Sequence, residues 1–415
     1  MDIAERPTGA VKKPGGTAAM AFIIATVLID ALAFALIIPV LPALLMELTG
    51  QGLGPAAAWG GLATFIFAMA QFFCSPVLGG LSDRFGRRPV LLMSLAALAA
   101  DFLLMGLAHA LWVFFGARLL SGIFAATYAT ATAYVTDITP SENRAQRFGW
   151  IGAAMGVGFV IGPAIGGLLG ELSPRAPFFA AAAFAGINAV FGYFAMRESL
   201  TDENRRAFSW RRANPFGTLL RLFRIEGLGT TVVIFFFVNL AGFVYPAIWT
   251  YALMAKFGWT ESQVGISLAY YGVIFAVSQI VMVPFLLKHL GERRAIWVSI
   301  ACQITTLTVV ATATAGWQIY LILNLALISS IFGPAMQKIM TERVASNAQG
   351  ELQGGLAALN GTILVISPLI YTQLFSVFES GELGVRFAGA PFVMAAVFSL
   401  TGLVLFLSRR QIEKS

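Results

Sequence analysis

Charge is what this chain has least of. Asp, Glu, Lys and Arg make up 11% of its 415 residues and hydrophobic residues 58%, where a soluble domain carries roughly 25% and 45–50%. So few charges cannot cover that much apolar surface in water. A soluble enzyme, a nucleic-acid binder and a disordered scaffold are thereby excluded. Histidine and cysteine are equally scarce, two of each. Cys74 and Cys302 fall inside apolar runs, where a thiol behaves as a small buried hydrophobe. No disulfide framework or thiolate metal site is implied. G-x-S-x-G, H-E-x-x-H and Walker A sequences are absent, and no loop is long enough for an ATPase or signalling domain. An intramembrane enzyme and a membrane sensor are disfavoured on those grounds.

What the chain does have is long apolar runs. About 20 apolar residues cross a bilayer as a helix, and runs of that size lie at 20–46, 57–79, 89–108, 110–136, 147–170, 176–196, 228–255, 262–287, 294–315, 317–340, 351–376 and 388–408. The first follows a polar, basic start and is too long for a cleaved signal peptide. Twelve spans sort the basic residues sharply. Of the 27 Lys and Arg, three (Arg175, Lys256, Arg386) fall on one side, Arg118 falls within a span, and the other 23 fall on the opposite side. Basic loops stay cytoplasmic. Both termini and the longest loop, 197–227, are therefore expected in the cytoplasm. The net charge of +7 reads as the same anchoring rather than as a nucleic-acid footprint.

The halves resemble each other. FAMAQ (67–71) recurs as FAVSQ (275–279), DRFGRR (83–88) as KHLGERR (288–294) with Gly86 matching Gly291, and Gly162-Pro163 as Ser367-Pro368. Three matches in order at nearly one offset indicate a duplicated six-span unit. The expected organisation is a tail (1–19), a six-helix bundle (20–196), a linker (197–227), a second bundle (228–408) and a tail (409–415). Two such halves around a midplane cavity form a transporter architecture.

Ionisable residues deep in a span are costly and point to function. Asp30 lies about ten residues into the first span, and Asp101 lies in the third. No span of the second half carries a deep acid, so any proton coupling falls to the first. Arg118 is the only base within a span and needs a carboxylate, carbonyls or water close by. The segment GGLSDRFGRR (79–88) fills a very short loop between spans two and three. Gly79 and Gly86 permit its tight turn. Asp83 can face a helix N-terminus, Arg87 can pair with Asp137 through its forked donors, and Arg84 and Arg88 complete the cluster. Such a group can latch one mouth of a cavity. In the fifth span Gly158, Gly162 and Gly166 repeat every four residues as a smooth packing face, with Pro163 a kink and Gly167 beside it. Aromatic residues crowd spans seven and eight, among them Tyr245, Trp249, Tyr271 and Phe275, and suit a flat amphipathic ligand.

At these residues the chain resembles the major facilitator superfamily. G-x-x-x-D-R-x-G-R-R at 79–88 is similar to its loop 2–3 motif, Arg118 with Gly122 to its fourth-span motif, and GFVIGPAIGG (158–167) to its antiporter motif. The closer resemblance is to the bacterial tetracycline-resistance exporters, through LIDALAFALIIPVLP (28–42), SDRFGRRPVLL (82–92), RLLSG (118–122) and FGWIGAAMGVGFVIGPAIGG (148–167). FGWTESQVGISLA (257–269) and QGELQGGLAALNG (349–361) extend it more loosely. The resemblance implies an all-α membrane protein of two pseudo-symmetric six-helix bundles in the inner membrane of a bacterium. It implies export of an amphipathic drug in exchange for protons, with no cofactor beyond the proton motive force. The partners expected are a small-molecule substrate, protons and the lipid bilayer, with no nucleic acid and the chain a monomer. Asp30, Asp101 and Arg118 would couple protons, Gly79, Asp83, Arg84, Gly86, Arg87, Arg88 and Asp137 would gate, and Gln71, Asn239, Tyr245, Trp249, Phe275 and Gln303 would contact substrate. Where such exporters often have a histidine in span eight and an aspartate in span nine, this chain has Phe275 and Gln303. A metabolite importer, facilitator or exporter is the alternative reading.

Overall fold

A computed structural model describes residues 16–210, 214–225, 227–345, 348–381 and 384–412. Arg6, Lys12, Lys13, Arg211, Arg212 and Lys414, which contribute to the basic side, lie outside the described residues, as does most of the N-terminal tail. Among the described residues there are helices and no strands.

The first half runs α1 (Gly16–Leu36), α2 (Leu41–Thr49), α3 (Leu53–Phe85), α4 (Arg87–Leu107), α5 (Leu111–Ile123), α6 (Thr127–Ile138), α7 (Arg144–Leu172) and α8 (Ala176–Ala195). The linker carries α9 (Pro215–Arg224). The second half runs α10 (Gly229–Gly242), α11 (Val244–Phe257), α12 (Glu261–Val277), α13 (Val283–Thr312), α14 (Gly316–Leu323), α15 (Ala326–Ser329), α16 (Phe332–Glu342), α17 (Gln349–Ser380) and α18 (Ala390–Ile412). Eleven stretches are long and apolar enough to cross a membrane. One of them, Glu261–Thr312, is two crossings, because Gly291 breaks it with φ 69° and ψ 164°. The described residues therefore make twelve crossings. Gly86, the matching residue of the first half, makes the corresponding turn with φ 106° and ψ 161°, conformations that side chains rarely adopt.

Several runs that read as continuous are broken, and proline explains where. A proline removes the N–H that would bond four residues back. Pro39 and Pro42 sit at the break between α1 and α2, Pro246 just past the break between α10 and α11, and Pro334 just past the turns around α15. Pro284 follows a five-residue π-helical turn, Ser278–Met282, that joins α12 to α13. One freed acceptor is used across the molecule: the Ile38 carbonyl takes a hydrogen bond from Thr250 Oγ1 of α11 at 3.2 Å. Pro163, by contrast, leaves α7 continuous.

The apolar cores are distributed unevenly along the membrane normal. At the end remote from the linker one cluster joins both halves, running through Leu36, Leu45, Phe102, Phe178, Trp249, Tyr251, Leu307, Tyr371 and Phe392. At the linker end each half has its own, around Phe22, Leu91 and Tyr134 in the first and Val232, Ile300 and Met340 in the second. The halves are thus fused at one end and separate at the other. The seams agree. Helices α3 and α17 pair antiparallel in a single register, with Gly54 against Glu379, Gly61 against Thr372 and Phe72 against Gly361. Beyond that point the register ends, and linker residues take the partner's place: Phe208 packs on Gly80, and Leu222 on Gly355.

Candidate functional site

Between the halves lies a cavity of about 500 Å³. The first half lines it with Asp30 and Phe34 of α1, Gly60, Phe67 and Gln71 of α3, Ser94 and Leu98 of α4, Arg118 and Ser121 of α5, Tyr128 of α6 and Phe159 of α7. The second half supplies Pro246, Trp249, Thr250 and Tyr251 from α11 and Leu364 from α17. The wall is mostly apolar with a few polar groups, which is how a small-molecule site is built.

Four of those polar groups keep an unspent atom. Asp30 Oδ1, Ser94 Oγ, Arg118 Nε and the Tyr251 hydroxyl oxygen are buried and have no hydrogen-bond partner. A buried polar atom left unpaired costs about 1–3 kcal/mol, so these positions favour whatever enters the cavity with a matching donor or acceptor. Arg118 is 8% exposed, and Asp101 is fully buried. The Arg118 Nη2 donates to Asp101 Oδ2, and its guanidinium lies 5.5 Å from the Phe67 ring. Arg118 lines the cavity and Asp101 does not. The aspartate therefore reaches the cavity through the guanidinium.

The expected substrate set is only partly brought together. Gln71 and Trp249 line the cavity; Asn239, Tyr245, Phe275 and Gln303 do not. Asn239 Nδ2 is spent on the Phe235 carbonyl one turn back at 2.8 Å, and Gln303 Nε2 on the Val238 carbonyl at 3.2 Å. Phe275 packs on Tyr271 and is half exposed. Tyr245 belongs to an aromatic cluster with Trp249, Tyr271 and Phe392 behind the wall. On α11 the residues facing the cavity are centred on Ala247 and Thr250, so Trp249 stands at the edge of that face and Tyr245 beyond it. Tyr251, which the aromatic pattern did not single out, is on it.

At the linker end a charge cluster fastens the turn between α3 and α4. Arg87 donates through Nη1 to Asp83 Oδ1 at 2.5 Å and through Nε to Asp137 Oδ2 at 3.1 Å. The same Nη1 meets Ser82 Oγ at 2.7 Å. Arg88 Nη2 donates to the Tyr193 carbonyl at 2.7 Å, and Arg84 lies over Phe85. Gly79 contributes its carbonyl, which accepts from Ser82 Oγ at 2.9 Å. The anion at a helix N-terminus is Glu198 rather than Asp83. Its carboxylate accepts from the backbone N–H groups of Arg87 (2.8 Å) and Arg88 (3.1 Å), the first residues of α4. A side chain on Gly86 would collide with that carboxylate. Asp83 instead pairs within its own turn, because Arg87 one helical turn on is the nearer partner. Glu198 is 111 residues from Arg87, and no local pattern marks it.

Helix α7 stands between α1 and α12. Gly158, Gly162 and Gly166 lie against Ala31, Ala35 and Leu36 of α1, and any Cβ there would overlap backbone. Gly167 and the Pro163 carbonyl lie against Glu261 and Gly265 of α12, so α7 packs tightly on both sides. Among the described residues no cluster of three or more His, Cys, Asp or Glu is placed to hold a metal.

The sequence profile of the Major Facilitator Superfamily matches residues 23–246 and again 230–415. The chain belongs to the Major Facilitator Superfamily. Its two matches correspond to the two halves. The class C tetracycline resistance protein of Escherichia coli is 38% identical over 358 residues, 86% of this chain and 90% of that protein. Multidrug resistance protein 2 of Bacillus subtilis (strain 168) is 31% identical over 396 residues, covering 92% and 93%. Among solved structures, an inward-facing, unoccupied bacterial homologue of the human lysosomal transporter Spinster superposes with a TM-score of 0.78 at 16% identity, covering 97% of this chain and 98% of that one. As a member of the superfamily, the chain is a membrane transporter of small molecules, embedded in the lipid bilayer by multiple helices.

Proposed function

We propose that the chain is a proton-coupled antiporter of a bacterial inner membrane that exports an amphipathic drug, tetracycline-like or multidrug, by alternating access. The observation that carries this reading is the central cavity, walled by both halves, whose lining holds both Asp30, with an unpartnered carboxylate oxygen, and an Arg118 already bonded to Asp101. The names of the relatives favour drug export.

In the proposed cycle the described state is the one open to the linker side, taken as cytoplasmic, because the shared core seals the remote end. Substrate enters and is held by Gln71, Trp249 and Tyr251. The halves then rock, parting at the α7–α12 and α3–α17 seams. A proton from outside neutralises Asp30 or loosens Asp101 from Arg118 and permits return. The Asp83–Arg87–Asp137 cluster with Gly86 and Arg88 is the linker-side gate; formed within the first half in this open state, it holds α3, α4 and α6 together as that half rocks, and the α7 glycines keep the remote end tight. Moving one charge is worth ~2.3 kcal/mol per 100 mV and ~1.4 kcal/mol is tenfold, so one proton supports roughly a 40-fold gradient per 100 mV. The protein needs no cofactor in this scheme and acts as a monomer with both termini in the cytoplasm.

The test uses everted vesicles with an acid interior. Tetracycline or another lipophilic drug added outside should collapse the gradient through wild type and not through Asp30→Asn. Collapse by other compounds alone would keep the antiporter and remove tetracycline. Failure of every drug to release protons from folded protein would overturn the reading in favour of a facilitator or a metabolite carrier.

A further inference from the structure

The linker helix α9 packs on α17 and, through Phe216, on α3, and leaves the rest of its surface exposed. Asn214 caps it, its side chain accepting from the Gly217 N–H at 3.2 Å. Helical geometry divides its ten residues into three faces. Thr218 and Leu222 form the first, packed on Gly354 and Gly355 of α17, with Leu222 fully buried. Phe216, Leu220 and Phe223, spaced i, i+4, i+7, form the second, and they are 53%, 61% and 44% exposed. Arg221 and Arg224 lie on the third. Both are exposed, and among the described residues neither forms an ion pair with a carboxylate.

The depth of α9 says what lies beside the apolar face. Phe216 packs on Phe72 and Phe73 of α3, with ring centroids 5.6 and 5.7 Å apart. Those residues sit six or seven positions inside the end of the second span at Gly79, which is about 10 Å at helical rise. Amphipathic helices at a bilayer interface sit ~5–10 Å into the headgroup–acyl boundary. A three-residue apolar stripe facing water there would be disfavoured, whereas acyl chains accept it. Trp210, just before the helix and 73% exposed, suits the same interface. The basic face adjoins the stripe, as headgroup contact requires; Arg221 Nε donates to the Gly217 carbonyl at 3.1 Å, and the two guanidinium groups, neither held by a carboxylate among the described residues, complement anionic phosphates.

We propose that α9 is an interfacial helix, seating Phe216, Leu220 and Phe223 in the acyl chains of the linker-side leaflet and binding anionic phospholipid headgroups through Arg221 and Arg224. Because α9 lies where the α3–α17 register ends, the lipid surface then holds a piece that separates the two halves at that end.

The test replaces Cys74 and Cys302 by alanine and attaches a nitroxide at one new cysteine, Leu220→Cys, Phe223→Cys or Arg221→Cys. The full chain is reconstituted in phosphatidylcholine, with or without phosphatidylglycerol. Labels at 220 and 223 should collide with dissolved oxygen and be shielded from a water-soluble nickel chelate, with the opposite at 221. Phosphatidylglycerol should move the 220 label measurably deeper, and Arg221→Gln with Arg224→Gln should abolish that shift. If the nickel chelate reaches 220 and 223 as readily as 221, the stripe faces an aqueous vestibule and the proposal is wrong. If phosphatidylglycerol changes nothing in the arginine-bearing protein, anionic recognition is wrong. Having two stripe positions protects against one labelled variant failing to insert. The readout does not use transport, so it stands apart from the export reading.

Discussion

Replacing Glu198 by alanine would remove one carboxylate from four backbone donors at once. These are the N–H groups of Arg87 at 2.8 Å, Arg88 at 3.1 Å, and Ser199 and Leu200 at 3.0 Å each. The first two open α4 and have no intrahelical acceptor. Loss of an N-terminal capping side chain costs about 0.5–2 kcal/mol, and a hydrogen bond to a charged group contributes about 1.5–3 kcal/mol. The site is partly buried and water can replace some of the bonds, so about 2 kcal/mol of local stability is expected to go, which is roughly a 30-fold rise in the opening equilibrium. The assay is amide hydrogen exchange on purified protein, comparing a peptide covering 83–92 with one covering 349–361. The first should exchange roughly 30-fold faster in Glu198→Ala, and Glu198→Gln should fall between, since it keeps an acceptor without the charge. The second peptide should be unchanged. A change below about 3-fold at 83–92, under 0.7 kcal/mol, would mean that Glu198 does not hold the start of α4 and would refute the argument.

The seam between α1 and α7 supplies an internal control. Gly166→Ala would drive a methyl into the Leu36 backbone, while Gly156 has open space around its Cβ position. Gly166→Ala should therefore lower the yield of monodisperse protein and its melting temperature, Gly156→Ala should change neither, and equal behaviour of the two would refute close packing as the reason for the glycines. Asp101→Asn should cost ~3–5 kcal/mol because it leaves Arg118 buried with no anion. Thermal unfolding should show Asp101→Asn with Arg118→Gln more stable than Asp101→Asn alone, and additive losses would argue against a buried pair. Arg87→Lys keeps the charge but not the fork that reaches both Asp83 and Asp137, so one charged hydrogen bond of about 1.5 kcal/mol should be lost. A double-mutant cycle with Asp137→Asn should show that coupling shrink in the lysine background.

The crossings, the duplication and one first-half ion pair were legible because each rests on information that is local, repeated or set by a side chain's own donors. Hydropathy sets a span, the offset sets the repeat, and the forked donors of Arg87 point to Asp137, whereas Asp83, expected at a helix N-terminus, pairs with Arg87 instead. The twelfth crossing could be read for the same reason, since Gly291 stands where the repeat places Gly86. What could not be read was rotation and long-range pairing. Counting aromatics along α11 selected Tyr245 and Trp249, whereas the cavity-facing side is centred on Ala247 and Thr250 and carries Tyr251. The resemblance places Asn239 and Gln303 in the substrate set, but neither lines the cavity and each donates an amide N–H to a backbone carbonyl. Glu198 carried no signal because the helix start it caps, at Arg87 and Arg88, lies more than a hundred residues away. The prolines were legible as residues but not as breaks, since Pro163 sits in a continuous helix and Pro246 beside an interruption.

The repeat itself shows how far the two halves have diverged in what they do. Gly86 and Gly291 make the same kind of turn, and the residue after each forms an ion pair with the far end of the next crossing. The signs are reversed: Arg87 pairs with Asp137, whereas Glu292 pairs with Lys338. Geometry rather than charge is the common element. The surroundings differ as well. Arg87 and Asp137 are 11% and 20% exposed, whereas Lys338 and Glu292 are 50% and 32% exposed. An exposed pair is screened by salt, while the shielded first-half pair is screened less. The first-half cluster is therefore the firmer of the two fastenings. Deep ionisable residues are confined to that half too, in Asp30, Asp101 and Arg118, while the second half brings Trp249, Thr250 and Tyr251 to the same cavity. In the proposed antiport cycle, that division would let a proton on the first-half side of the cavity alter the grip on a substrate that also touches the second half.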